Sequence, residues 1–360
     1  MNASAPIARR SNTLSSSLGL GEKLFASSDE RKLANALDSG LALVEAGLFE
    51  QMSFTDDLAD VTSRYLLDAG GKRIRPVLTL LAAQLGSGNN PNVITAAEAI
   101  EMTHLASLYH DDVMDEAQMR RGVPSAQSVW GNSVAILTGD LLFARASKLV
   151  AAMGERALLL QAETFERLCL GQLHETIGPR PDEDPIEHYL QVLADKTGSL
   201  IATAAQIGLL CSEAPEEYIE PVVQFGEKIG VAFQLIDDVI DLAPQPEETG
   251  KVPGTDLRAG VVTLPLLYLR RLAATDNDAE RLLHRIDHDI NTAFYEEGDP
   301  NAADLTAAIA ELREHEVTRM TLAEAHRWAA DAVTALGPLP DGPVKKALTR
   351  FAETIVERSS

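Results

Sequence analysis

Cysteines, basic residues and long apolar runs are all scarce in this chain of 360 residues. Two cysteines, Cys169 and Cys211, cannot build a disulfide framework or a four-thiolate zinc site, and they favour a reducing compartment. No stretch approaches the roughly 20 apolar residues of a membrane span. Lys and Arg number 31 against 54 Asp and Glu, which gives a net charge of −23. The chain therefore lacks the positive field with which proteins bind nucleic acid or anionic membranes.

Signals for β-strands are also few, because apolar residues recur at helical spacing instead of alternating along the chain. The clearest apolar runs are Val77–Leu85, Ile94–Leu108, Val134–Ala152 and Ala157–Ile177. Turn residues separate about ten to twelve predicted helices, several of them apolar on most faces, as in the middle of a large bundle. No change in composition divides the chain. The sequence therefore predicts an all-α fold, with a single large helical bundle over residues 29–360.

Residues 1–28 are predicted to form a disordered N-terminal tail. This segment is rich in Ser and has no acidic residue before Glu22. It lacks the apolar run of a secretory signal. A transit peptide is the less favoured alternative for the same composition.

Two aspartate clusters share one spacing. They consist of Asp111, Asp112 and Asp115 in LYHDDVMDEA, and of Asp237, Asp238 and Asp241 in QLIDDVIDLA. The outer aspartates of each cluster lie one helical turn apart, about 6 Å along the axis. Like charges at this spacing repel each other, and carboxylates beside apolar residues are costly, so a cation is expected. Oxygen ligands favour Mg²⁺, which binds one or two carboxylates together with waters and substrate phosphates. A solvated acidic surface is the alternative, and two matching clusters argue against it.

The few basic residues gather in two segments, Gly70–Pro76 (GGKRIRP) and Arg120–Gly122 (RRG). Arg binds phosphates through a planar bidentate fork, and Lys binds them as a point charge. Neither segment is a P-loop, because the Gly-Lys pairs at 71–72 and 250–251 are not followed by Ser or Thr. Either segment alone could serve only in salt bridges. Beside an aspartate cluster in an acidic protein, they predict a site for an anionic substrate.

Five segments resemble those of the trans-isoprenyl diphosphate synthases, also called polyprenyl synthetases, and occur in that family's order. The segments are GGKRIRP, EMTHLASLYHDDVMDEAQMRRG, DKTGSL, FQLIDDVIDL and GKVPGTDLRAGVVTLP. The chain is most similar to the bacterial long-chain synthases that make the side chains of quinones such as menaquinone. The resemblance implies a helical bundle with a deep central cavity. It also implies a Mg²⁺-dependent, head-to-tail condensation of isopentenyl diphosphate onto an allylic diphosphate.

The resemblance assigns roles to individual residues. About three Mg²⁺ ions would be held by the outer aspartates, which are Asp111, Asp115, Asp237 and Asp241. The allylic diphosphate (geranyl, farnesyl or geranylgeranyl) would contact Arg120, Lys196, Thr197, Gln234 and Lys251. Isopentenyl diphosphate would contact Lys72, Arg75, His104 and Arg121. The catalytic set would be Asp111, Asp112, Asp115, Asp237, Asp238 and Lys196.

Product length in this family depends on the residues four and five positions before the first aspartate. Bulky aromatic residues there give a farnesyl product, whereas this chain has the small residues Ser107 and Ala106. Thr103 and Ala99, further along the same helix, are small too. Each helical turn opens about 5.4 Å of depth, so the resemblance implies a product longer than farnesyl, of about six to nine isoprene units.

One position departs from the family pattern. The family often has Lys after Gly260, and this chain has Val261. Either one diphosphate contact is missing or Arg258 replaces it. Because both aspartate motifs are intact, the main chemistry is expected to survive.

Other classes fit the motifs less well. Terpene cyclases share the first aspartate motif but usually carry Asn, Ser and Glu in the second, and head-to-head synthases have spaced D-x-x-x-D motifs. An HD-type phosphohydrolase could use His110-Asp111 but would need further His ligands at helical spacing. A non-catalytic subunit of a partner synthase would tend to lose the aspartate motifs.

The resemblance also bears on assembly and location. It implies a homodimer that is joined through apolar faces. We expect a cytoplasmic enzyme with no stable membrane anchor and no nucleic acid partner. Its long product would pass to membrane prenyltransferases.

Overall fold

The computed structural model describes residues 27–243, 253–292 and 301–358, and most of these are helical. The first α-helices are α1 (Ser28–Gln51), α2 (Asp57–Asp68), α3 (Ile74–Ala83), α4 (Pro91–Met114), α5 (Ala126–Trp130), α6 (Asn132–Ala151), α7 (Glu155–Ile177), α8 (Pro185–Leu193) and α9 (Ser199–Cys211). The remaining α-helices are α10 (Ile219–Asp241), α11 (Thr255–Arg258), α12 (Leu264–Leu272), α13 (Asn277–Thr292), α14 (Asn301–Glu314), α15 (Glu316–Ala335) and α16 (Pro343–Glu357). The all-α prediction is confirmed.

The four apolar runs of the sequence fall on α3, α4, α6 and α7, as predicted. Local signals set the start of α4, where Pro91 occupies the first turn and the Asn90 side chain accepts the Val93 N–H at 3.0 Å. The described residues contain sixteen α-helices, more than the ten to twelve predicted, and part of the excess is α5 and α11, which have only 5 and 4 residues. Helices this short are below the window in which periodicity can be read.

One β-hairpin departs from the helical expectation. Strands β1 (Met119–Arg120) and β2 (Val123–Pro124) pair in antiparallel fashion. Arg121 and Gly122 connect them with φ values of 54° and 79°, the positive angles of a two-residue hairpin turn. Two-residue strands show no alternation, so the sequence pattern could not reveal them.

Helix α4 lies in the middle of the bundle, where it packs against α1, α3, α6 and α9. Helix α10 packs against α9, α15 and α16. Leu105 on α4 and Leu235 on α10 are fully buried, and each contributes roughly 1.5–3 kcal/mol to folding. A second, smaller apolar cluster joins α11–α14, with Leu257, Leu269, Leu282 and Ile309 at its centre. Among the described residues, no helix combines the length and apolar character needed to cross a bilayer.

A close helix contact positions the turn between α8 and α9. Residues Ala194–Gly198 form a π-helical turn that interrupts this otherwise continuous helix. Gly230 of α10 lies against Gly198, and a Cβ at Gly230 would come within 2.5 Å of the Gly198 Cα. Only glycine on α10 permits this approach, so the packing fixes the π-turn against α10.

The predicted tail, residues 1–28, lies outside the described residues except for Ser27 and Ser28. Ser27 caps α1 through a capping box with Glu30. The boundary of the domain at residue 29 stays a prediction.

A buried carboxyl group on α4 leads to a prediction about stability and pH. Glu98 is 6% exposed, and its carboxyl lies against Gly47 of α1. Burial and the neighbouring Glu50 raise the pKa of Glu98 from 4.5 to about 7. A raised pKa means that the folded state favours protonated Glu98. The contribution of this group to the free energy of unfolding is therefore complete below about pH 4.5 and is lost as the pH rises to about 7.

Glu98→Gln should remove this decline. Between about pH 5 and pH 8, the wild-type free energy of unfolding should fall by about 2 kcal/mol more than that of the variant. Urea unfolding at both pH values measures the difference. Parallel pH profiles for the two proteins would contradict the assignment.

Candidate active site

The first basic segment forms the loop before α3 and its first turn. Gly70 has φ 94° and Arg73 has φ 51°, so the backbone here is left-handed. Arg73 points inward and is 6% exposed, whereas Lys72 is exposed. Burial and Arg358 lower the pKa of Lys72, and Asp237 opposes them. The loop therefore presents Lys72 toward the second aspartate cluster.

Arg75 lies in the first turn of α3, and its Nε atom is buried without a hydrogen-bond partner. Burial lowers the pKa of Arg75 to about 10, while Glu101 and Asp111 act in the opposite direction. His104 is half-buried on α4. Burial and neighbouring arginines, Arg75 first among them, hold the pKa of His104 well below 6.5. His104 is therefore neutral at pH 7.

The first aspartate cluster lies at the C-terminal end of α4. The sequence pattern predicted that all three aspartates lie on one helix. The helix ends at Met114, however, and Asp115 is its C-cap residue. Its N–H donates to the Asp111 carbonyl at 2.8 Å, which preserves the one-turn spacing. Burial raises the pKa of Asp111 to about 6, with Asp115 adding to it and Lys196 opposing it. The outer carboxylates thus lack full compensation by protein cations.

Asp112 differs from its neighbours because it is fully buried. Its Oδ1 accepts a hydrogen bond from the Arg120 Nε at 2.6 Å, while Oδ2 has no partner. Burial raises the pKa of Asp112, and Arg120 opposes the shift. This contact fixes Arg120 of the hairpin beside the aspartate cluster.

The hairpin also places Arg121. Its Nη1 donates to the Leu66 carbonyl at 2.8 Å and to the Gly70 carbonyl. Burial lowers the pKa of Arg121, and Glu101 acts in the opposite direction. The two basic segments, separate in the sequence, are therefore hydrogen-bonded to each other.

The second aspartate cluster lies in the last turn of α10. Asp238 is 2% exposed and accepts a hydrogen bond from the Tyr189 hydroxyl at 2.6 Å. Burial raises the pKa of Asp238 to about 7. Asp237 pairs with Arg358 of the C-terminal segment at 3.1 Å. Asp241 accepts the N–H groups that begin α11, at 3.2 and 3.1 Å.

Lys196 lies near the first cluster, where Asp111 and Asp115 act on its charge. It lies in the π-turn, a feature frequent at functional sites, and its Nζ donates to Glu175 at 2.5 Å. Burial lowers the pKa of Lys196, but Glu175 and Asp111 outweigh it, so the pKa is raised. Thr197 in the same turn and Gln234 on α10 are half-buried.

The predicted length-determining residues lie on α4, one turn before the aspartates. Ala106 is fully buried, and Ser107 is half-buried with its hydroxyl donating to the His104 carbonyl at 2.9 Å. Thr103 and Ala99 are buried further along the helix.

The segment after α10 is only partly described. Lys251 lies outside the described residues. Val261 is 44% exposed. The guanidinium of Arg258 donates to the Pro253 carbonyl and to Thr306, at 3.1 and 2.9 Å. Burial lowers the pKa of Arg258, and the carboxylate of Asp241 acts in the opposite direction. Arg258 therefore lies near the second cluster.

Sequence reasoning missed the partners that hold the site residues in place. These partners are Glu45, Arg73, Glu101, Glu175, Tyr189 and Arg358. The one available signal was Glu101, which with Glu98 interrupts the apolar run of α4 and lies one turn before His104.

The chemistry of the donors fits a hard divalent cation. Both clusters offer only carboxylate oxygens at a helix C-terminus, where the helix dipole is also negative. Across the described residues, no three His, Cys, Asp or Glu side chains form a preassembled metal site. Carboxylate oxygens of this kind can bind a hard divalent cation, and water and phosphate oxygens can complete its shell.

The bundle and its paired aspartate clusters define an isoprenoid synthase, a helical prenyltransferase. Residues 56–294 match the family model described as Polyprenyl synthetase. The chain therefore belongs to the polyprenyl synthetase family.

Relatives agree with this assignment. Nonaprenyl diphosphate synthase of Mycobacterium tuberculosis is 40% identical over 96% of this chain and 98% of its own. The crystal structure of a decaprenyl diphosphate synthase from Rhodobacter capsulatus has a TM-score of 0.78 at 33% identity, covering 92% of this chain and 99% of that one. Geranylgeranyl pyrophosphate synthase from Corynebacterium glutamicum, complexed with calcium and isoprenyl diphosphate, has a TM-score of 0.76 at 39% identity, covering 91% and 98%.

Proposed function

We propose that this enzyme is a long-chain trans-polyprenyl diphosphate synthase. It adds isopentenyl diphosphate head to tail onto an allylic diphosphate. The observation that carries this proposal is the arrangement of basic residues beside two aspartate clusters. Lys72 is electrostatically coupled to Asp237, and Arg75 to Asp111. The aspartate carboxylates can bind divalent metal, and the Lys and Arg side chains can bind diphosphate. Their combination in one site suits two diphosphate substrates together with divalent metal.

The allylic diphosphate binds at the first cluster and the π-turn. Arg120, Lys196, Thr197, Gln234 and Lys251 contact it, and Lys196 exchanges its Glu175 contact for a diphosphate oxygen. Asp111, Asp115, Asp237 and Asp241 would hold about three Mg²⁺ ions, which would supply neutralisation of the diphosphate charge. Asp112 keeps the Arg120 fork in position through the 2.6 Å contact.

Isopentenyl diphosphate binds at Lys72, Arg75, His104 and Arg121. Neutral His104 donates a hydrogen bond to a diphosphate oxygen. As the allylic carbon–oxygen bond breaks, Arg120 and Lys196 stabilise the charge of the leaving diphosphate. Buried apolar residues of α4 exclude water from the allylic carbon. The isopentenyl double bond attacks that carbon, and the released diphosphate accepts the proton that restores the double bond.

Incorporation of labelled isopentenyl diphosphate tests this function. The purified chain is incubated with Mg²⁺ and farnesyl diphosphate, and products are separated by length. A ladder that ends at one long product supports the proposal. No incorporation with farnesyl or shorter primers would contradict an independent synthase and favour a subunit that requires a partner.

Product length follows from the small residues on α4. The nonaprenyl and decaprenyl relatives support a product beyond farnesyl, of about six to nine units by the depth of the helix. We propose that this product supplies a quinone side chain and that the enzyme is cytoplasmic.

Replacing Ala106 with phenylalanine should shorten the product. The added ring fills space one turn before Asp111, at a cost of about 1–3 kcal/mol for overpacking a fully buried position. A graded series of Ala106→Val, Ala106→Leu and Ala106→Phe should give progressively shorter products by chromatography. Active variants that keep the wild-type length would rule out this position as a determinant.

A homodimer is supported by one apolar surface, made by the outer faces of α6 and α7. Leu137 and Ile177 are 61% and 72% exposed there. Other exposed members are Ile136, Leu141, Leu159, Phe165 and Leu173. Several large exposed apolar side chains on two adjacent helices favour an interface. Light scattering of the wild type should give a molar mass about twice that of one chain. Leu137→Glu should lower this mass toward that of one chain, because it places a charge on the apolar surface. A monomeric wild type would refute the proposal.

A further inference from the structure

Three segments that are distant in the sequence converge on one buried carboxylate. Glu101 of α4 is 2% exposed. Around it lie the loop before α3, the turn of the hairpin and the middle of α1. Lys72 and Arg121, two of the residues proposed for isopentenyl diphosphate, come from the first two of these segments.

Arg73 is the best-defined contact of Glu101. Its Nη1 lies 3.2 Å from the Glu101 Oε1, and its Nε lies 2.6 Å from Glu45 of α1. Nη1 also donates to the Gly70 carbonyl at 3.1 Å. Arg73 is therefore fully engaged within the protein and has no role as a substrate ligand.

Arg121 approaches the same oxygen from the hairpin. Its Nη2 lies 4.0 Å from the Glu101 Oε1, and its Nη1 shares the Gly70 carbonyl with Arg73. Arg75 is electrostatically coupled to Glu101 from the first turn of α3. His104 follows Glu101 by one turn on α4.

One donor in this cluster has no protein partner. Three guanidinium groups, Arg73, Arg75 and Arg121, face the carboxylates Glu45 and Glu101, and Asp111 also acts on Arg75. The Arg75 Nε is buried without a hydrogen-bond partner, and such an atom is costly unless a ligand satisfies it. This open donor points to an anion.

We propose that Glu101 is a positioning residue for the diphosphate of isopentenyl diphosphate. It touches no substrate, and acts by holding Arg73 and Arg121, and through them the loop that carries Lys72 and Arg75. This inference rests on the proposed function. Glu101 would act like the residues that hydrogen-bond to metal ligands and orient them. Mutation of such residues typically lowers metal affinity 10–100-fold.

Glu101→Gln tests the role because glutamine keeps the shape and one acceptor but removes the charge. Glu98→Gln is the matched control, one turn earlier on α4, also buried but beside Glu50 instead of the arginine cluster. Glu101→Asp keeps the charge on a shorter stem. Circular dichroism and thermal melting of all three confirm that they fold.

The variants should separate the two substrates. In Glu101→Gln, the KM for isopentenyl diphosphate should rise about 10-fold or more, while kcat and the KM for the allylic substrate stay within about 3-fold. Glu101→Asp should recover part of the loss, and Glu98→Gln should match the wild type. Equal increases in both KM values, or an unchanged KM for isopentenyl diphosphate, would overturn the proposal.

A binding measurement separates this inference from the proposed function. Calorimetric titration of isopentenyl diphosphate in EDTA excludes metal-dependent binding at the aspartates. Weaker binding to Glu101→Gln than to Glu98→Gln supports the role of Glu101 even if the wild type makes no polymer. Equal binding by both variants overturns it, even if the wild type is an active synthase.

Discussion

Asp111→Asn and Asp237→Asn should each lower turnover by about three orders of magnitude or more. Each change removes a carboxylate from the end of a helix where divalent metal and diphosphate are proposed to meet, and electrostatic stabilisation of the leaving group is the largest part of such a barrier. Single-turnover incorporation of labelled isopentenyl diphosphate measures the effect. Asp182→Asn, at an exposed loop aspartate, is the control and should keep the wild-type rate.

Stability should respond in the opposite direction for Asp111→Asn. The pKa of Asp111 is raised to about 6 by burial and by Asp115. Its charged form therefore destabilises the folded, metal-free protein at pH 7. In EDTA, the free energy of unfolding of the variant should equal that of the wild type or exceed it by up to about 1 kcal/mol. An inactive variant that is also unfolded would leave loss of structure as the cause. A stable variant with a near-normal rate would remove Asp111 from the mechanism.

Arg73→Met should lower the free energy of unfolding by about 3–5 kcal/mol, because it removes the nearest partner of the buried Glu101 carboxylate and leaves only the Arg121 contact at 4.0 Å. Arg73 is 6% exposed and joins α1, α4 and the loop before α3. Urea unfolding monitored by circular dichroism measures the change. Arg73→Lys should recover only part of the loss, since lysine cannot form the planar fork that contacts two carboxylates.

A surface ion pair provides the control for Arg73. Arg156 contacts Glu216, and the two side chains are 60% and 72% exposed. Exposed pairs contribute little, so Arg156→Met should change the free energy of unfolding by less than about 1 kcal/mol. Equal losses in the two variants would mean that burial of the Arg73 network has no special weight.

The sequence pattern was sufficient for the class of fold and for the family. Periodic apolar runs located α4 and α7 because these helices are long and their apolar positions recur at helical spacing. The aspartate spacing was informative for a similar reason: it is a local pattern within α4 and α10. The assigned roles of these aspartates stay predictions until the variants are measured.

The partners of the site residues could not be read from the sequence. Tyr189 contacts Asp238 from 49 positions away, and Arg121 contacts Leu66 from 55 positions away. Such pairs exist only once several helices have packed, and one sequence carries no signal of them. The hairpin that positions Arg120 escaped notice because its strands are too short to show a period.

The π-turn at Lys196 has a consequence for how this segment tolerates length changes. Residues 185–211 form one helix except at Ala194–Gly198, where the chain holds an extra residue in the turn. Deleting a single residue here would regularise the helix and leave α8 and α9 in register, because the turn already holds the extra residue. The deletion would remove the turn that places Lys196 beside Glu175. A single-residue deletion at this turn should therefore preserve the fold better than one elsewhere in residues 185–211, where it would rotate the two sides of the helix by about 100°.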